Sequence, residues 1–147
     1  MAKRSLSCVV ILMALGVACG EPDITVPEVM SVDFYPPNGS VAISVDVQGL
    51  LAFSHEVADP SAAAREISLT CLGSPSPSCL TPNEAGCTAT AQANVIFEPS
   101  GMQARVTATS SLLSNACYLY QVNGGVEAAD DAVGDLPSDR RSVFRTN

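Results

Sequence analysis

Chemistry in this 147-residue chain could come from a lone histidine, a knot of carboxylates or a set of six cysteines. His55 follows Ser54 directly, and a serine hydrolase needs such a base beside a nucleophile, with an acid to orient it. Neighbouring residues of a strand point to opposite faces, so the sequence predicts that Ser54 and His55 do not act on each other. No Gly-x-Ser-x-Gly, His-Glu-x-x-His or phosphate-binding glycine loop accompanies them. The expectation is a protein that is not an enzyme and takes no cofactor.

Asp130, Asp131 and Asp135, with Glu127, form a glycine-containing acidic loop whose hard oxygens would suit calcium. They lack the alternating Asp-x-Asp-x-Asp ladder of a calcium loop, so these three aspartates stand as metal candidates beside an expectation of no metal. Arg140, Arg141 and Arg145 read as a solvated strand end beside Asp139. Formal charge is −8, and removal of Lys3 and Arg4 with an N-terminal leader leaves five basic against fifteen acidic groups, or −10. A chain so acidic repels phosphate backbones, so nucleic acid is excluded as a partner.

Residues 1–19 have the form of a leader: Lys3 and Arg4, an apolar run of roughly 13 residues from Leu6 to Ala18, then small residues. That run is short of the roughly 20 residues a spanning helix requires. Leu15-Gly16-Val17-Ala18-Cys19 resembles the lipobox of bacterial lipoproteins, which implies diacylation of Cys19 and a membrane as partner. The family's leucine stands three residues before the cysteine, whereas here Gly16 holds that place and Leu15 lies one further back. Simple cleavage after Gly20 is the alternative and gives a released protein. Residues 20–26 read as a short tether.

Cys8 leaves with the leader and Cys19 is acylated or removed, so four cysteines remain: Cys71, Cys79, Cys87 and Cys117. In an exported domain an even set predicts two disulfides, with three possible pairings. Their spacings fit no compact zinc knuckle.

The elements that must position these groups are short. Apolar 3.6-residue stripes are absent, while β-rich runs alternate with turn clusters at Val29–Tyr35, Val41–Val47, Gly49–Val57, Glu66–Cys71, Thr88–Gln92, Val95–Glu98, Ala104–Ala108, Cys117–Val122 and Ser142–Thr146. Pro60–Glu66 reads as a turn of helix or a loop crossing between strands, residues 71–87 as a proline-rich surface excursion, and Asn38-Gly39-Ser40 as a turn. The pattern predicts an all-β fold, an antiparallel sandwich of roughly seven to nine strands occupying residues 27–147. Phe53, Val57, Ile67, Leu69, Ile96, Leu119 and Phe144 are the expected inward residues, with Tyr118 or Tyr120 as a corner tyrosine. With no tryptophan in the chain, an antibody-type core is excluded.

Pro37-Asn38-Gly39-Ser40, Leu51-Ala52-Phe53-Ser54-His55-Glu56-Val57, Val95-Ile96-Phe97-Glu98-Pro99, Leu112 to Tyr118, Asp131-Ala132-Val133-Gly134-Asp135-Leu136 and Ser142-Val143-Phe144-Arg145-Thr146 occur in that order. Together they resemble the bacterial Ig-like domain found in S-layer proteins, with Val95–Pro99 similar to its strand E. The resemblance implies an Ig-like sandwich. It also implies that Cys71 meets Cys117 across neighbouring strands, leaving Cys79 with Cys87; Cys71–Cys79 with Cys87–Cys117 is the rival.

The expected function is a non-enzymatic Ig-like module of an exported envelope lipoprotein, anchored by lipid at the outer membrane or cell surface. Its role would be structural or adhesive, toward a protein or glycan. The alternatives are a periplasmic or secreted unanchored binding protein that uses the 71–87 loop, and a calcium-stabilised module.

Overall fold

The computed structural model describes residues 26–75, 79, 82–83, 87 and 90–147. The leader, Cys19, the tether apart from Val26, and much of the 71–87 excursion lie outside the described residues.

The chain is an all-β sandwich. One sheet has four strands in the order β1 (Val32–Tyr35), β3 (Gln48–Phe53), β8 (Gln103–Ala108), β7 (Ala93–Phe97). The other runs β2 (Ser40–Ile43), β10 (Arg140–Thr146), β9 (Cys117–Val122), β4 (Ile67–Pro75). Two short strands, β5 (Pro82–Asn83) and β6 (Thr90–Ala91), both pair with β4.

Pro36-Pro37 lies between β1 and β2; a proline cannot donate to a ladder, so pairing in the first sheet stops there. The chain passes to the second sheet, where β2 lies parallel to β10. That one pairing departs from the antiparallel expectation. The crossing is pinned by polar groups: Ser142 Oγ donates to Pro36 O at 2.9 Å, and Asn38 Oδ1 accepts from Val143 N at 2.9 Å. Gly39, at φ +85°, completes the predicted turn in a conformation open to glycine.

The core lies between the layers because alternate residues of each strand point inward. Leu51, Phe53, Ala104 and Val106 from the first sheet meet Leu69, Tyr118, Tyr120, Val122 and Phe144 from the second. Phe144 stacks against both tyrosines, with ring centroids 5.7 and 5.1 Å apart. Gly49 of β3 faces the Tyr120 ring, and a Cβ there would stand 2.6 Å from its Cζ and Oη.

Two expected core residues turn outward. Phe97 stacks on Phe53 at 5.6 Å, which fixes the parity of β7 and leaves Ile96 64% exposed. In β9 the inward positions are Tyr118, Tyr120 and Val122, so Leu119 takes the outer face and is only half-buried. The remaining expected members, Phe53, Val57, Ile67, Leu69 and Phe144, are buried.

Between β3 and β4 the predicted helical turn is α1, Pro60–Arg65. Asp59 caps it, its Oδ1 accepting from Ser61 N at 2.8 Å and Ala62 N at 3.0 Å, and Pro60 starts it where a missing N–H costs nothing. Only Ala63 of this helix is buried, so the sandwich rather than propensity holds it in place.

The disulfides are Cys71–Cys87 and Cys79–Cys117, with Cα separations of 5.7 and 5.4 Å. This is neither the pairing the resemblance implies nor its rival. Cys71 and Cys117 do lie on neighbouring strands, but Cys71 stands opposite Tyr118, and Cys117 stands opposite Gly73 after a register shift. Cys71 packs with the inward set, whereas Cys117 has the outward parity of Leu119, so strand alternation separates the two sulfurs.

Candidate functional site

Most of the groups able to do chemistry collect at one end of the sandwich, around the β3–α1 connection and the loop from 123 to 139. Backbone bonds tie these segments together: Ala58 N donates to Glu127 O at 3.0 Å, Ala129 N to Glu56 O at 2.8 Å, and Asn123 N to Glu66 O at 3.0 Å. The N-terminal segment joins them, Met30 N donating to Gly134 O and Gly134 N to Glu28 O, both at 2.8 Å.

Ser54 and His55 are closer than strand alternation predicts. β3 ends at Phe53, so both fall in a bend where the two-face rule no longer applies, and Ser54 Oγ lies 3.0 Å from His55 Nδ1. On its far side His55 Nε2 is 3.3 Å from Glu28 Oε1. The result is a Ser-His-Glu chain whose third member the sequence did not point to. Its hydroxyl is already engaged, accepting from Ser31 N at 2.9 Å, while Ser54 N donates to Ser31 O at 2.9 Å. Glu28 is 72% exposed at its side chain, and a carboxylate in water orients an imidazole poorly compared with the buried acid of a triad. The geometry is that of a strap fastening the N-terminal segment to the end of β3.

The carboxylates of the acidic loop serve the turn itself. Asp130 Oδ1 accepts from Ala132 N at 2.9 Å, and Asp130 O accepts from Val133 N at 2.9 Å. Asp135 Oδ1 accepts from Ala128 N at 3.4 Å, and Asp131 stands exposed. Among the described residues, no three of His, Cys, Asp and Glu are grouped to hold a metal ion.

Between α1 and the loop lies a cleft of about 310 Å³ that the sequence did not signal, because its walls come from segments some sixty residues apart. Asp59, Glu66 and Glu127 line it beside Gly124 and Gly125. Asp59 is occupied with capping, and Glu66 accepts from Asn123 Nδ2 at 3.0 Å. The concavity is acidic and suits a cationic group more than an anion.

Of the basic residues, Arg141 reaches Asp139 at 3.6 Å, and Arg145 donates to Asn115 Oδ1 at 2.6 Å from its Nη2. Tyr118 is the corner tyrosine, its hydroxyl accepting from Leu113 N at 2.8 Å. Tyr120 has no such partner. Among the described residues nothing bonds its buried hydroxyl, and burial pushes its pKa up to about 12.

No protein-family model matches the sequence, and no curated protein matches it either. Solved structures do. The chain is similar to the N-terminal part of the bacterial S-layer protein SbsC, with a TM-score of 0.50 and 17% identity over 81% of this chain. It spans 24% of that structure's length. A longer SbsC structure is similar with a TM-score of 0.49 and 18% identity, covering 81% of this chain and 14% of the other. At such identities the likeness concerns fold.

Proposed function

We propose that this chain is a non-enzymatic Ig-like module of a bacterial cell envelope, exported and held to its membrane through an acylated Cys19, with a structural or adhesive role. The observation that carries the reading is the strand order. β1, β3, β8 and β7 take the places A, B, E and D of the Ig arrangement, and β4, β9 and β10 take C, F and G. In this reading Val95–Pro99 belongs to strand D rather than E. The fold likeness to part of an S-layer protein supports an envelope setting, and two disulfides fit an oxidising compartment outside the cytosol. The domain is taken as residues 27–147 behind the short tether of residues 20–26.

A non-catalytic role fits the Ser-His-Glu chain, whose hydroxyl closes the β1–β3 pair. A protein or glycan partner would meet the loops at the acidic end or an open strand edge. Mass spectrometry of the mature N-terminus tests the anchoring: a diacylated Cys19 supports it, and a chain beginning at Glu21 overturns it. In the second case the protein is a released binder, a reading favoured by the two crosslinks that fasten the 71–87 excursion to the sheet.

A further inference from the structure

The open edges of the two sheets are not alike. β1 carries Asp33 and runs into Pro36-Pro37. β2 has four residues, a register shift against β10 and Ala42 at φ 57°. β5 and β6 have two residues each. Charge, proline, irregularity and brevity are the means by which natural sheets keep an edge from pairing. β7 has none of these four, and α1, which packs beside it, makes no hydrogen bond to its backbone. Ala93-Asn94-Val95-Ile96-Phe97 holds no charge, proline or glycine and pairs without a break against β8.

The ladder also tells which backbone groups of β7 face away from β8. Thr109 N donates to Gln92 O at 2.9 Å and Glu98 N donates to Gln103 O at 2.8 Å, each between directly opposed residues. Hydrogen-bonded pairs alternate in an antiparallel ladder, so Asn94 and Ile96 bond inward as well. The N–H and C=O groups of Ala93, Val95 and Phe97 therefore point to the open edge, and among the described residues none bonds to them.

We propose that β7 is a self-association edge, at which two copies of this chain join β7 to β7 antiparallel about a two-fold axis through Val95. The free groups are symmetric about that residue, so one two-fold operation pairs Val95 with Val95 and each Ala93 with the other copy's Phe97, satisfying all three positions on both chains. Charge points to the same edge. Copies of the exported chain that each carry −10 repel, but β7 is neutral, and the charges beside it on its outer side, Glu98 and Arg105, are paired with each other at 2.7 Å. The exposed Ile96 would then face Asn94 of the second copy, and two four-stranded sheets become one of eight strands.

The register makes the test specific. Asn94 of one copy and Ile96 of the other form a non-hydrogen-bonded pair with Cα atoms about 4.5 Å apart, within the range a disulfide spans. Two Asn94 residues, or two Ile96 residues, are offset along the strands and out of reach. Asn94→Cys and Ile96→Cys forms of the full exported chain are prepared separately and exposed to mild oxidant, alone and mixed. The expected result is a crosslinked dimer in the mixture alone. Adding Val95→Pro to both should abolish it, since the N–H it removes points to the open edge and not to β8; because proline also withdraws a side chain packed on the core, a melting curve first establishes that the variant is folded. No dimer in the mixture, equal crosslinking by either form alone, or a dimer that survives a folded Val95→Pro chain overturns the proposal. Sedimentation of the unmodified exported chain is the check that needs no variant: a concentration-dependent dimer is expected, and a monomer at every concentration overturns it.

Discussion

The two sheets of this sandwich solve the same packing problem with different means. The second is fastened covalently: Cys71 and Cys117 sit on its neighbouring strands β4 and β9, and each is bonded to a cysteine of the proline-rich excursion. The first has no crosslink, and its outer face is open. Along one cross-strand row it presents Tyr35, Leu50, Arg105 and Ile96, of which Tyr35 is 58% exposed. Its order comes from small inward residues, Gly49, Ala104 and Val106, over which the aromatic rings of the second sheet lie. One layer is held by bonds in the chain and the other by fit.

The largest effect should therefore come from the crosslinks. Cys79–Cys117 closes a separation of 38 residues and Cys71–Cys87 one of 16. Chain entropy alone gives about 3.9 and about 3.1 kcal/mol for loops of those lengths. Denaturant titration of the Cys79→Ser/Cys117→Ser and Cys71→Ser/Cys87→Ser forms should show the former to be the less stable. If the shorter loop costs more, the excursion contributes folded contacts of its own, beyond restricting the unfolded chain.

Fit comes next. Gly49→Ala places a methyl 2.6 Å from the Tyr120 ring, which is buried and cannot swing aside, so overpacking should cost about 1–3 kcal/mol. Combining it with Tyr120→Leu, which withdraws the ring tip, should recover part of that loss. A chain indifferent to Gly49→Ala would mean that the first sheet is not held by close approach.

These two features differ in how far they could be read in advance. Alternation and turn chemistry disclosed the sandwich, the short helix and the turn at Asn38-Gly39, because those depend on neighbours within a few residues. Ile96 and Leu119 were misplaced because short strands of mixed composition fit either parity until a partner such as Phe53 selects one. The disulfide pairing failed for a similar reason, since Cys71 stands opposite Tyr118 and strand alternation puts Cys117 on the other face. Glu28 beside His55 and the cleft at α1 were hidden because residues far apart in sequence meet there only once both loops are folded. The candidate site was thus legible in its residue types and not in its contacts.

The smallest effects separate the two tyrosines that line the interface of the layers. Tyr118 gives its oxygen to Leu113 N at 2.8 Å, so Tyr118→Phe leaves a backbone donor without a partner and should cost about 1–2 kcal/mol. The Tyr120 hydroxyl bonds to none of the described residues and is carried into the core uncompensated, so Tyr120→Phe should be neutral or slightly stabilising at pH 7. Alkali sharpens the contrast. The folded state raises the Tyr120 pKa to about 12 from 10, so it resists the ionisation that the unfolded chain accepts. This contribution is complete below pH 10 and is lost as pH climbs through 12. Thermal unfolding followed from pH 8 to 11.5 should show stability falling more steeply in the unmodified chain than in Tyr120→Phe. Parallel curves would mean that the hydroxyl is solvated in the folded protein, and that the fit between the sheets is looser than the close approach at Gly49 implies.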